Sequence, residues 1–210
     1  GSVNLSTLAW LGADAAIGLV VDNTGLDGLS APNLTLVVGG LTVHNNNEIE
    51  QLDLGALETV GWDLTIDDDE RLALVHLESL QTVRGLVLQN LPGVSILDLQ
   101  SLDATVWGLE IIRLDALSTL SLGQVQSVGG YLRIQEAPSL SSIQMPLLAS
   151  VGQDARFYIL DRLETLSVPV LSSVGGAFVL TLGGDLEILA LPELSSVGET
   201  FTVSSNQALL

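Results

Sequence analysis

The chain has 210 residues, 47% hydrophobic and 15% charged, which is enough apolar content for one large packed core and excludes disorder. Twenty-five acids stand against six arginines and no lysine, and the net charge of −19 argues against nucleic acid and anionic membrane as partners. There is no cysteine, so disulfides, thiolate metal sites and cysteine nucleophiles are excluded, and no apolar run approaches the ~18 residues of a spanning helix.

Residues 1–16 are expected to be an irregular leader. Gly1-Ser2 reads as an expression-tag scar, and the remainder as an N-terminal cap in which Ser6 starts a short helix. Trp10 is expected to cover the open first layer of the fold that follows, because repeat arrays need atypical capping units.

From residue 17 to residue 210 a repeat takes over. Its anchor valines are Val38, Val60, Val83, Val106, Val128, Val151, Val174 and Val197, spaced 22 or 23 residues apart, with Ile17 as a first, shorter member. A glycine follows each within two residues, which predicts a corner whose backbone angle other residues reach only with strain. Between anchors runs L-x-x-L-x-L-x-x-L-x-x-V, as in Leu163, Leu166, Val168, Leu171 and Val174. After the glycine comes an alternating x-L-x-I, as in Leu132 and Ile134.

Short strands joined by corners and repeated at a fixed period make stacked coils about 4.8 Å apart. The predicted fold is all-β: a parallel β-helix (β-solenoid) of roughly eight or nine coils with ~23-residue leucine-rich-repeat-like units. An α-containing leucine-rich repeat has a similar period, but L-x-x-V-G-G is too short and glycine-rich for its helical turn. Pro146, Pro169 and Pro192 also suit corners. The final residues, Asn206-Gln207-Ala208-Leu209-Leu210, stop in mid-repeat, which is the expectation for a piece of a longer chain.

The runs Val128-Gly129-Gly130-Tyr131-Leu132-Arg133-Ile134 and Val174-Gly175-Gly176-Ala177-Phe178-Val179-Leu180 resemble the receptor L domain and the related repeats of fungal Ecm33-like cell-wall proteins. That resemblance covers Ile17 to the end. It implies a right-handed β-helix, an extracellular or cell-surface setting, and protein ligands bound on the sheet formed after the glycines. The absent cysteines and the regular repeat point to a bacterial relative.

Alternation assigns the outward residues of that sheet, and they include Val87, Gln89, Glu110, Ile112, Arg133, Gln135, Arg156, Tyr158 and Val179. Thr42, His44, Thr65, Asp67, Thr181, Thr202 and Ser204 complete the face. Only Asp67 and Glu110 are acidic there, so an acidic chain carries one near-neutral face with arginine and tyrosine, types enriched at binding hot spots. The same columns also suit a plain sheet surface.

Other constellations carry less. Asp67, Asp68 and Asp69 are weak calcium candidates, because oxygen-rich loops hold calcium but the EF-hand spacing fails. His44 and His76 lie on different predicted strands without metal-binding spacing. Glu110 with Arg133 and Arg156 would be the carboxylate–arginine set of a carbohydrate-active β-helix enzyme, but a salt bridge explains their adjacency as well. A Thr/Ser ladder before the anchors (Thr59, Thr82, Thr105, Ser127, Ser150, Ser173, Ser196) reads as corner hydrogen bonding.

The expected function is therefore a non-enzymatic extracellular recognition or adhesion module. Its partner is a protein or a glycan, and it uses neither cofactor nor direct membrane insertion. The alternative is a structural spacer that self-associates end to end.

Overall fold

The computed structural model describes residues 1–12, 17–181, 185–206 and 208. Every strand pairing among them is parallel, none of them is helical, and the coils stack as a β-solenoid of about eight turns. Inward residues of successive coils form columns, such as Leu54, Leu77, Leu99, Leu122, Met145 and Val168, all essentially inaccessible. The core's apolar side chains are aliphatic apart from Phe157 and Phe178, whose rings lie 5.8 Å apart, and Asn46, Asp69 and Thr105 are buried with them.

Two sheet systems wrap this core. The broad one has fifteen strands and two ladders, one before and one after the glycine corner. In the middle coils the chain passes the corner without a break, giving Thr59–Asp67, Thr82–Gln89 and Ala104–Ile112. The narrow face runs through Ser2–Asn4, Gly28–Ser30, Gln51–Asp53 and Leu74–His76, then resumes at Thr119–Ser121 and continues to Ile188–Ala190. The intervening coil, around Leu97, contributes no strand to it.

The N-terminal segment corrects the helix expectation. Ser2–Asn4 pairs with Gly28–Ser30 and Trp10–Leu11 with Leu36–Val37, so this segment is itself coil-like. The reason lies in Leu5-x-x-Leu8-x-x-Leu11, which repeats the spacing of Leu54-x-x-Leu57-x-x-Val60. Both make the same turn, with the Leu8 N–H donating to the Leu5 carbonyl and the Leu57 N–H to the Leu54 carbonyl, each at 2.9 Å. Trp10 is 64% exposed and does not cover the core. Residues 13–16, where the expected cap ends, and Gln207, Leu209 and Leu210 lie outside the described residues.

Ile17 leaves the anchor column, pairing with Gly40 while Leu11 pairs with Val37, and two further anchors shift by one residue. The paired column is Val37, Val60, Val83, Thr105, Val128, Val151, Val174 and Val197. Val38 and Val106 are exposed instead, at 37% and 69%. The ladders slip register just after Val83, and a one-residue slip turns a side chain to the opposite face. The hydroxyl ladder consequently breaks at Ala104, while Thr105 is buried with its Oγ1 unpartnered.

The corner glycines owe their place to close approach. Gly129, Gly152, Gly175 and Gly198 have no left-handed φ, but a Cβ on each would fall against a carbonyl of the preceding coil. Left-handed backbone occurs at the other end of the strand, at Asn23, Asn45, Asp68, Asn90, Arg113, Glu136, Ile159 and Ser205, with φ between 49° and 58°. Asn and Asp tolerate that conformation; Ile159 is the costliest occupant.

Candidate functional site

Pairing after the corner brings the expected face together. Val87, Glu110, Arg133, Arg156 and Val179 stand in one column, and Gln89, Ile112, Gln135, Tyr158 and Thr181 in the next. All are partly exposed except Ile112, which is 7% exposed although it stands outside the inner core cluster. Ile17–Asp22 adds a further strand to this face, with Val20 beside Thr42 and Asp22 beside His44.

The arginines on the face are already engaged. Arg133 donates to Glu110 at 2.8 Å, and Arg156 to Asp154 at 2.7 Å. Asp154 also accepts from the Ala177 N–H at 2.8 Å, and that bond, aided by Arg156, holds its carboxyl below the ordinary range. Glu110 and Arg133 thus form a cross-coil ion pair. Off the face, Arg113 and Glu136 pair in the same way, and the Glu136 carboxylate raises the guanidinium pKa further.

The three calcium candidates do not converge. Asp69 points inward, fully buried, with Oδ1 accepting from the Asn46 N–H at 2.6 Å and Oδ2 unpartnered. Burial pushes its carboxyl up to about 6. Asn46 in turn accepts from the Thr24 N–H and hydroxyl at 2.9 and 2.6 Å, so a short polar column fills the first coils. Asp67 and Asp68 instead cluster with His44, their ligand atoms lying within 4.8 Å of one another. The nearest approach, His44 Nδ1 to Asp67 Oδ2, is 3.6 Å, and an imidazole suits calcium poorly. Burial, with Asp68 nearby, raises the Asp67 carboxyl. His76 lies apart, 3.6 Å from Glu78.

A feature absent from the sequence expectation stands at the corner bordering the face. Trp62, Arg84 and Trp107 occupy one column in successive coils, with the Arg84 guanidinium carbon 4.3 Å from the Trp62 ring and 4.6 Å from the Trp107 ring. Both indoles are about half exposed, at 41% and 51%. One glycine flanks the stack on each side, Gly39 before it and Gly130 after it, and Gln153 follows Gly130 in the column. Trp62 N–H donates to the Gly39 carbonyl, and Gly130 packs so tightly on the Trp107 carbonyl that no Cβ fits. Spacings of 22 and 23 residues match the repeat period, so the column was detectable; aligning on Val106 rather than Thr105 hides it.

Beside the stack lies a groove of about 250 Å³. Gly85 and Gly108 form its floor, and Asp63, Arg84, Val87, Trp107, Glu110 and Tyr131 its walls. The Asp63 carboxylate lies over Gly85 and the Tyr131 ring over Gly108, where added Cβ atoms would meet them at 2.8 and 3.3 Å.

No family model, curated protein or solved structure matches this chain.

Proposed function

We propose that this protein is a non-enzymatic extracellular recognition and adhesion module whose partner, a protein or a glycan, docks on the sheet after the glycine corners. The observation that carries this reading is the near-neutral double column from Val87 to Thr181, bordered by the exposed Trp62–Arg84–Trp107 stack, on a chain of charge −19. Tryptophan, tyrosine and arginine bury large areas at little conformational cost, which is why they dominate interface energetics. The resemblance to receptor L domains selects the same sheet.

The test is retention of the purified protein on intact cell surfaces. Arg156→Glu combined with Tyr158→Ala is expected to abolish retention while the chain keeps the circular dichroism of the parent, although loss of the Arg156–Asp154 pair lowers the unfolding midpoint. Equal retention by parent and double variant would remove the proposal.

A further inference from the structure

We infer that the groove between Trp107 and Tyr131 is a subsite for a neutral sugar ring. This rests on the recognition reading above and names the class of partner at one end of that face.

Three observations converge on a polyhydroxylated ring. The first is the exposed indole. Trp107 is 51% exposed and lines the groove, Arg84 occupies one side of it, and the next residue of the column is Gly130, which has no side chain. The ring pairs among the described residues are Phe157–Phe178 and Phe178–Phe201, so Tyr131 borders the groove without stacking on Trp107. An indole face is electron-rich and attracts the polarised C–H face of a pyranose.

The second is unspent hydrogen-bonding capacity. Among the described residues, Asp63 and Arg84 make no side-chain hydrogen bond and no ion pair with the protein, although both line the groove. Sugar hydroxyls both donate and accept, and so can serve a carboxylate and a guanidinium together. An aliphatic occupant would leave both groups desolvated and unpaired.

The third is size and charge. At about 250 Å³ the groove is smaller than the usual ~300–1,000 Å³ of small-molecule pockets and suits a single ring of a longer chain. Asp63 and Glu110, on a chain of charge −19, disfavour sulfated or phosphorylated sugars.

The experiment is a titration of the intact protein with laminarihexaose, cellohexaose, mannohexaose and chitohexaose, with heparin as polyanion, read by tryptophan fluorescence. At least one neutral hexasaccharide is expected to shift the emission with Kd on the order of 1 mM or tighter. Trp107→Ala should weaken it by more than about tenfold. Trp107→Phe should restore part of the binding, and Trp10→Phe should leave it unchanged. Asp63→Ala, which spares the aromatic stack, should also weaken binding and so covers the case in which Trp107→Ala unfolds.

Failure of all four neutral sugars, a preference for heparin, or sugar binding indifferent to Trp107 and Asp63 would each overturn the inference. Sugar failure combined with loss of cell-surface retention in the Arg156→Glu, Tyr158→Ala variant overturns the sugar subsite and leaves the recognition reading standing.

Discussion

Asp69 Oδ1 accepts a 2.6 Å hydrogen bond from the Asn46 N–H one coil earlier, while Asp69 Oδ2 is buried without any partner. A carboxylate held this way is half satisfied, and its charge is costly away from water. The equivalent residues of later coils are Leu91, Leu114, Ala137 and Leu160, all buried.

This sets a pH dependence of stability. The folded-state pKa, about 6, lies above the ordinary 3.8, so the native state binds the proton more tightly than the unfolded chain. The contribution is fully present below about pH 4, falls away as pH rises, and is lost above about pH 6. At roughly 1.4 kcal/mol per unit the loss amounts to up to about 3 kcal/mol. Urea denaturation of the parent and Asp69→Asn at pH 4, 5 and 7 isolates it from general acid repulsion. The variant should be at least as stable as the parent at pH 7, and its advantage should vanish by pH 4. A stability difference constant across that window would refute the assignment.

Ile159 has φ 52° and a side chain 54% exposed, so it bears the strain of left-handed backbone while burying little. Replacing it by asparagine, the residue at three equivalent corners (Asn23, Asn45 and Asn90), should stabilise by about 1 kcal/mol. In thermal unfolding that corresponds to a rise of about 2–4 °C. A lower midpoint would mean that the Ile159 side chain matters more than its backbone.

Gly152 and Gly123 make a matched pair. A Cβ on Gly152 would strike the Gly129 carbonyl, whereas a Cβ on Gly123 meets nothing within 4 Å. Gly152→Ala should therefore cost on the order of 1–3 kcal/mol, and Gly123→Ala should be near neutral. Equal midpoints in denaturant for the two variants would contradict the close-approach account of the corner.

Arg84 and Arg162 both lack an ion pair among the described residues, yet Arg84 lies between two indoles. At about 0.5–1 kcal/mol per exposed cation–π contact, Arg84→Ala should cost roughly 1–2 kcal/mol and alter tryptophan emission. Arg162→Ala should do neither. Unchanged emission in Arg84→Ala would show that the stack does not persist in solution.

Much of the fold was legible because a solenoid writes its geometry into one period. Leucine and valine columns identify the inner wall, and alternation correctly turned Arg133, Arg156 and Tyr158 outward. At the anchors, an apolar residue at the repeat spacing reads as inward-facing whether or not it is. Val38 and Val106 stand at anchor spacing, but Val37 and Thr105 hold those places; beyond Thr105 the ladder slips by one residue, between Val83 and Gly85. Leu5, Leu8 and Leu11 fit a helix and a coil corner equally well. The Trp62–Arg84–Trp107 stack depends on corrected register, so alignment by valines concealed it. The inward turn of Asp69 was hidden by the opposite bias, since an aspartate beside two others reads as solvated.

The gap in the narrow face at Leu97 gives the rod a preferred direction of bending. Elsewhere, opening the narrow face breaks ladder bonds between strands such as Gln51–Asp53 and Leu74–His76. Between Leu74–His76 and Thr119–Ser121 there are none to break, and the coils are tied through the broad sheet and its corners. Flexure is cheapest there, with the broad sheet serving as the leather of a hinge. Trp107 and Tyr131 stand on that side, on the coil at the gap and the one after it, where the ladder of the broad sheet is intact.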